Sequence, residues 1–141
     1  MNISSDGIKF IRQHEGCRLT AYQDVAGIWT IGVGHTGPEV GDGLTVTDAE
    51  ADNLLRQDVQ AAEDCIEQHV IVPITQGQYD ALCSFIFNVG CRAFEKSTLL
   101  RRINANDVGA GAEFLKWTMA GGHPVAGLIA RRKDEKELFE S

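Results

Sequence analysis

Three polar residues near the amino terminus have types and spacing suited to acid–base chemistry. They are Glu15, Asp24 and Thr30, in the pattern Glu-x8-Asp-x5-Thr. Hydrolysis of a glycosidic bond needs two carboxyl groups in different environments, one that donates a proton and one that stays ionised. A hydroxyl group beside them can hold a water molecule, because it both donates and accepts hydrogen bonds. The pattern therefore makes glycoside hydrolysis a candidate chemistry for this chain.

The first carboxylate lies at the end of a predicted helix over residues 5–14. Ile8 and Ile11 are three residues apart and Glu15 follows four residues later, so the three share one helical face. Gly16 then supplies a helix stop. Partial burial beside apolar side chains favours the protonated form of a carboxyl group. We therefore expect Glu15 to lie at the edge of a core and to donate the proton.

The other two residues belong to a predicted β-hairpin. Asp24 falls in its turn and Thr30 on its return strand. A carboxylate in a solvated turn stays ionised, and the hydroxyl of Thr30 can hold a water molecule near it. Structural roles remain as the alternative, with Glu15 as a surface helix end and Asp24 as a turn former that caps its own backbone. The turn-rich run 37–43 is expected to be a loop or a short third strand.

The rest of the chain has helical periodicity. Residues 47–50 read Thr-Asp-Ala-Glu, a capping box that opens a helix of about twenty residues, which we expect to join two lobes. A weaker capping box at 75–78 opens the next helix. Further helices are predicted near 98–103, 107–117 and 128–139, and the residues 121–124 are expected to interrupt the helical structure. Helix, small antiparallel sheet and then helices form an α+β pattern.

Length and charge limit the classes of protein further. The chain has 141 residues and a formal net charge of −7, which predicts one domain over 1–141 and argues against a nucleic-acid binder. Within it we expect a β lobe over 1–48, a connecting helix over 48–68 and a helical lobe over 69–141. The amino-terminal residues lack the basic segment followed by an apolar stretch that a signal peptide has. The sequence therefore predicts cytosolic synthesis without membrane insertion.

The cysteines show no metal-binding pattern along the sequence. Cys17, Cys65, Cys83 and Cys91 form no CxxC pair and have no histidine at zinc-finger spacing. Since the cytosol keeps thiols reduced, we expect four free thiols, with a disulfide formed after release as the alternative. No metal or organic cofactor is expected.

Four segments resemble a known family. They are Glu15-Gly16, Tyr22-x-Asp24, Gly27-x-x-Thr30-Ile31-Gly32-Val33-Gly34-His35 and Phe87-Asn88-Val89-Gly90. Together they resemble the phage-type lysozymes of glycoside hydrolase family 24, and the resemblance covers essentially the whole chain. It implies a lysozyme-like fold, a cleft between two lobes, and hydrolysis of the β-1,4 bond between N-acetylmuramic acid and N-acetylglucosamine in peptidoglycan. It also implies that an aspartate acts on water, which inverts the sugar's anomeric centre.

Carried over residue by residue, the resemblance implies that Glu15 is the proton donor, Asp24 the second catalytic carboxylate and Thr30 the residue that places the water. One family arginine pairs with the catalytic glutamate, and Arg131 and Arg132 are both candidates for it. The matched positions for substrate contact are Thr36, Phe87 and Ser97, or Thr98 if the alignment shifts by one residue. His35 could support the site, although we favour a structural role for it.

The resemblance implies a phage endolysin that lyses the host cell. Such an enzyme is expected to be a monomer that accumulates in the bacterial cytoplasm and reaches peptidoglycan in the periplasm with the help of a phage holin. A lytic transglycosylase acting on the same bond is one alternative, but it needs no second carboxylate. A non-catalytic glycan-binding module is the other, and the Glu15, Asp24 and Thr30 set argues against it.

Overall fold

The computed structural model describes all 141 residues, Met1–Ser141, and contains helices and two small antiparallel sheets. The chain divides into two compact units. One consists of Ile8–Gln60 and the other of Met1–Gly7 with Ala61–Ser141. The helices are α1 (Ser5–Glu15), α2 (Asp48–His69), α3 (Gln76–Val89), α4 (Cys91–Glu95), α5 (Thr98–Asn104), a 3-10 helix (Ala110–Lys116) and α6 (Ala126–Glu140). The strands are β1 (Arg18–Gln23), β2 (Trp29–Gly32), β3 (His35–Thr36), β4 (Met119–Ala120) and β5 (His123–Pro124).

A three-stranded antiparallel sheet forms the centre of the Ile8–Gln60 unit, in the order β1-β2-β3. Thr30 on the middle strand pairs with Tyr22 on one side and with Thr36 on the other. The predicted hairpin is confirmed, but its return strand ends at Gly32 and a turn separates it from β3. The short third strand thus lies just before the run 37–43, and that run consists of loop and turns.

Helix α1 ends where the sequence predicts. The amide of Gly16 donates a hydrogen bond to Arg12 O at 2.9 Å, and Gly16 has a positive φ of 77°. A glycine adopts this left-handed conformation without steric penalty, so the chain can leave the helix here. The stop fixes Glu15 as the last helical residue.

The predicted capping box of α2 is confirmed. Thr47 Oγ1 accepts from the Glu50 amide at 3.1 Å, while a Glu50 carboxylate oxygen accepts from the Thr47 amide at 2.9 Å. The 22-residue helix buries one face, which carries Ala51, Leu55, Val59, Ala62, Cys65 and Ile66. Its residues up to Gln60 belong to one unit and those from Ala61 onwards to the other.

The second unit is mostly helical and has an aromatic core. The Thr75–Gln78 capping box at the start of α3 is confirmed. Phe85 contacts the rings of Phe94, Phe114 and Trp117 in edge-to-face geometry, with centroids 5.3–6.4 Å apart. Edge-to-face packing places positive ring edges on negative ring faces, which stabilises such a core. Within the helix predicted over 107–117 the structure has the 3-10 helix Ala110–Lys116, and the predicted break at 121–124 holds the turn and the second strand of the small β4-β5 hairpin.

The prediction of four free thiols is wrong for two of the cysteines. Cys65 on α2 and Cys91 at the start of α4 form a disulfide, with Cα atoms 5.8 Å apart. Cys17 and Cys83 remain free. Spacing along the chain could not reveal this pair, because folding brings together residues that are 26 positions apart. No helix of the protein is both long and apolar enough to cross a membrane.

Candidate active site

Glu15 is exposed at the carboxyl end of α1. Ile8 and Ile11, which form an apolar stripe on the same face of α1, are buried with 3% and 0% exposure. The apolar stripe therefore turns inward as predicted, and Glu15 is its exposed end. The role of Glu15 as proton donor stays a prediction.

Asp24 holds the hairpin turn together. Its Oδ1 accepts hydrogen bonds from the amides of Ala26 (2.8 Å) and Ile28 (2.9 Å). Its backbone also pairs with Ile28, and the Gly27 amide donates to its carbonyl oxygen at 2.9 Å. Asp24 is thus the turn former that the structural alternative predicts. The same bonds fix the orientation of a half-buried carboxylate whose second oxygen, Oδ2, takes no part in them.

Thr30 is buried, with 4% exposure, in the middle strand of the sheet. Its hydroxyl donates a hydrogen bond to the carbonyl oxygen of Ile28 at 2.9 Å. A hydroxyl carries one proton and two lone pairs, so Thr30 retains capacity to accept a hydrogen bond. The Ile28 peptide groups therefore bond both Asp24 and Thr30. Sequence reasoning missed the role of Ile28, because a backbone role leaves no mark on residue type.

The structure places the three predicted catalytic residues in one unit, Ile8–Gln60, and brings Asp24 and Thr30 together in one hairpin. Thr36 lies in this unit as well, exposed and paired in register with Thr30. The remaining predicted residues, Phe87, Ser97, Thr98, Arg131 and Arg132, belong to the other unit.

His35 lies between two carboxylates. Its Nδ1 is 2.8 Å from Asp58 Oδ2 and its Nε2 is 2.7 Å from Glu39 Oε1. Burial disfavours the charged imidazole, but the hydrogen bonds to Glu39 and Asp58 outweigh it and raise the pKa of His35. The bond to Asp58 ties the start of β3 to α2, and the bond to Glu39 ties it to the turn that follows, which is the structural role that we favoured.

Ser97 and Phe87 have different surroundings. Ser97 is buried and caps α5, because its hydroxyl oxygen accepts from the Leu100 amide at 3.0 Å while its proton goes to Phe94 O at 2.6 Å. Its neighbour Thr98 is exposed. Phe87 is half-buried near the end of α3. Contact of these residues with substrate stays a prediction.

Arg131 and Arg132 take part in a buried ion-pair network in α6. Their Nε atoms lie 3.3 Å and 2.9 Å from the carboxylate of Glu135, which is fully buried. Ser84 donates to Glu135 Oε2 at 2.6 Å, and Arg132 donates to Asn88 Oδ1 at 2.6 Å. Desolvation raises the pKa of Glu135, while Arg132, Ser84 and Arg131 act in the opposite direction. Pairing of either arginine with the catalytic glutamate stays a prediction.

Folding brings together two cysteines and a histidine that are separated along the sequence, although two of their sulfurs are joined in the disulfide. Cys65, His69 and Cys91 place one ligand atom each within 4.8 Å of the others. The spacing of Cys65 and His69, four residues apart on a predicted helix, was the available signal. The third ligand could not be found in this way, because it comes from a different helix.

Comparison with known proteins identifies the family of the chain. The phage lysozyme family model matches residues 12–135. The chain is 49% identical to the endolysin of Salmonella phage P22 over 146 residues, covering all of this chain and 99% of that protein. A crystal structure of a P22 lysozyme mutant superimposes with a TM-score of 0.96 at 47% identity, over 100% of this chain and 99% of the other.

A second solved structure gives the same result. The muramidase domain of SpmX from Asticaccaulis excentricus has a TM-score of 0.90 at 41% identity, covering 99% of this chain and 98% of that domain. These similarities confirm the predicted family and the α+β lysozyme-like fold class. The chain belongs to the phage lysozyme family and is a glycoside hydrolase of bacterial peptidoglycan.

Proposed function

We propose that this lysozyme is an endolysin muramidase that cleaves the β-1,4 bond between N-acetylmuramic acid and N-acetylglucosamine with inversion at the anomeric carbon. One observation carries the proposal: Asp24 and Thr30 are both bonded to Ile28, in a turn followed directly by the strand that carries Thr30. This arrangement fixes an acceptor carboxylate and an acceptor hydroxyl in one rigid hairpin. Two fixed acceptors are what a water molecule needs in order to be held by both of its hydrogens.

The proposed water lies between Asp24 and Thr30. Because the Thr30 proton is used by Ile28 O, the water donates one hydrogen to Thr30 Oγ1 and the other to Asp24 Oδ2. Its lone pair then faces outward, towards the anomeric carbon. As the water oxygen bonds to that carbon, Asp24 takes up its proton and acts as the general base. Attack from the face opposite the leaving group inverts the configuration.

Glu15 is the proposed proton donor to the leaving oxygen. As the bond from the anomeric carbon to the glycosidic oxygen breaks, the Glu15 proton moves to that oxygen, so no alkoxide has to leave. In the free protein this side chain is exposed. We infer that the bound glycan covers it and excludes the water around it, which strengthens its hydrogen bond to the glycosidic oxygen.

The charge of the chain bears on how it binds its substrate. At a net charge of −7, the chain is repelled overall by an anionic cell-wall polymer, so bulk electrostatics oppose binding rather than help it. Recognition therefore rests on sugar contacts, with Thr36, Phe87 and Ser97 as the proposed contact residues. The enzyme is proposed to act as a monomer, to accumulate in the host cytoplasm, and to reach the periplasmic peptidoglycan after a phage holin opens the membrane.

Product analysis on purified peptidoglycan tests the reaction. Hydrolysis adds one water and leaves a reducing muramic acid end, whereas a transglycosylase leaves an anhydro-muramyl end. Mass spectrometry of the released fragments should find reducing ends only, and proton NMR during the first turnovers should find the α anomer before mutarotation. Anhydro-muramyl products would replace the hydrolase proposal with a transglycosylase, and an initial β anomer would overturn inversion.

A further inference from the structure

Two cysteines and a histidine meet where α2 ends and α4 begins. Cys65 and His69 are one helical turn apart on α2, and Cys91 is the first residue of α4. One ligand atom from each, the two Sγ atoms and a ring nitrogen, lies within 4.8 Å of the others. Two thiolates and an imidazole are the soft and intermediate donors that bind Zn²⁺ rather than Mg²⁺ or Ca²⁺. None of these residues belongs to the proposed catalytic set.

We propose that, once the Cys65–Cys91 disulfide is reduced, Cys65, Cys91 and His69 bind one Zn²⁺ ion. With Zn–S bonds of ~2.3 Å, tetrahedral coordination holds two sulfurs about 3.8 Å apart. The Cα atoms of the pair are 5.8 Å apart, so the sulfurs can separate to this distance by side-chain rotation. A water molecule completes the fourth position. The metal site goes beyond the proposed function and does not depend on it, and only the change of compartment rests on the proposed localisation.

The surroundings of His69 favour a metal site. Its Nε2 lies 3.3 Å from Glu95 Oε2, so in the tautomer that donates Nε2–H to the carboxylate the lone pair lies on Nδ1. A carboxylate behind a ligating imidazole orients the ring and raises its basicity. The side-chain amide of Asn104 donates to His69 O at 2.9 Å and accepts from the Ile71 amide at 3.0 Å. The end of α2 is therefore held in place before any ion binds.

The disulfide and the ion exclude each other chemically. A dithiol reductant gives two electrons and two protons to the Cys65–Cys91 bond and becomes a disulfide itself, which leaves two thiols. Binding of Zn²⁺ then releases both thiol protons, since the thiolate is the ligand. Disulfides are rare in a reducing cytosol and persist in the periplasm. The same two cysteines can thus link α2 to α4 in either compartment, through the ion in one and through the disulfide in the other.

Metal titration of the full chain tests the proposal. The protein is reduced with a phosphine under argon, freed of metal, and titrated with Zn²⁺ against a chromophoric chelator and with Co²⁺ by absorption spectroscopy. We expect one ion per reduced chain and a thiolate-to-cobalt charge-transfer band with tetrahedral ligand-field bands. We also expect His69→Ala to weaken Zn²⁺ binding more than 100-fold and Glu95→Gln to weaken it about 10- to 100-fold.

Two controls separate this site from general thiol binding. Cys17→Ser should bind Zn²⁺ as the wild type does, and the oxidised wild type should not bind it. His69→Ala retains the disulfide, so its circular dichroism in the oxidised state verifies that it folds. The proposal is overturned if the reduced wild type binds less than about a tenth of an equivalent, or if reduced His69→Ala binds as tightly as the wild type.

Discussion

The side chains of Asp24 and Thr30 are bonded to opposite polar groups of one residue, Ile28: Asp24 Oδ1 accepts from its amide at 2.9 Å, and Thr30 Oγ1 donates to its carbonyl oxygen at 2.9 Å. Ile28 itself is 52% exposed, so its side chain is not what places it there. The turn thus positions the two side chains through hydrogen bonds to the backbone of Ile28, whatever its side chain. This relationship makes their separate roles testable.

Asp24→Asn should separate the chemistry of the carboxylate from its structural role. The asparagine carbonyl oxygen can still accept from the amides of Ala26 and Ile28, so the turn should keep its shape. We expect a free energy of unfolding within about 0.5 kcal/mol of the wild type. Since a general base contributes about 100-fold or more to the rate, lysis of permeabilised Gram-negative cells should slow by at least that factor. The exposed Asp42→Asn is the matched control, and a variant at position 24 that lyses cells at the control's rate would contradict the role of Asp24.

Thr30→Val should remove the water-holding hydroxyl while keeping the β-branched shape that the strand needs. Loss of the hydrogen bond to Ile28 O should cost about 1 kcal/mol in the free energy of unfolding. Misplacement of the attacking water should slow hydrolysis about 100-fold. Turnover is measured on purified peptidoglycan, with Thr20→Val on β1 as control. Normal turnover by Thr30→Val would refute the water-holding role.

A second variant, Thr30→Glu, puts a carboxylate where the water belongs. This variant should lose ordinary inverting hydrolysis.

Glu15→Gln should abolish activity and leave the fold intact. The residue is exposed at the end of α1, so the free energy of unfolding should change by less than about 0.5 kcal/mol. Turbidity loss of permeabilised cells gives the activity, sedimentation with purified sacculi gives binding, and the exposed Glu137→Gln serves as control. Retained binding without lysis supports an acid role for Glu15. Lysis by Glu15→Gln within a few-fold of the wild type would argue against it.

Stability of the protein should depend on pH through His35. Its folded-state pKa is raised by Glu39 and Asp58 in spite of burial, so the charged form stabilises the fold. This contribution is fully present below the ordinary value of 6.5 and disappears as pH rises through the raised value. Urea unfolding measures the free energy of unfolding of the wild type and of His35→Gln at both pH values. The difference in favour of the wild type should be about 1 kcal/mol larger at pH 6 than at pH 9. If the stability difference between the two proteins stays constant or grows as pH rises, the charged form of His35 does not stabilise the fold in this way.

The buried ion-pair network should be sensitive to loss of its anion. Glu135→Gln leaves Arg131 and Arg132 buried without their shared carboxylate, which should cost about 3–5 kcal/mol in the free energy of unfolding. The urea midpoint measures this, and Glu137→Gln on the exposed face of the same helix should leave it unchanged. Equal urea midpoints for the two variants would contradict the prediction and would mean that water molecules hydrate the two arginines in place of the lost carboxylate.

Much of the local structure could be predicted from short segments of sequence. The capping boxes at 47–50 and 75–78 are confirmed, because each depends on two side chains within one helical turn. The hairpin around Asp24 is confirmed for the same reason, since its turn closes on residues four apart. The small β4-β5 hairpin was missed. Its strands have two residues each, which is too short for alternation to show.

The sequence by itself determined the order of helices and sheet, the motif that carries Glu15, Asp24 and Thr30, and the family to which the chain is similar. These follow from residue type and spacing over a few positions. Only the tertiary structure decided that Glu15 is exposed, that Cys65 meets Cys91 and His69, and that His35 bonds Asp58 from another element. Each of these depends on the direction in which a helix or strand continues after a turn. Small differences in backbone angles there move a side chain between core and solvent, and contacts between distant residues form only when whole elements pack.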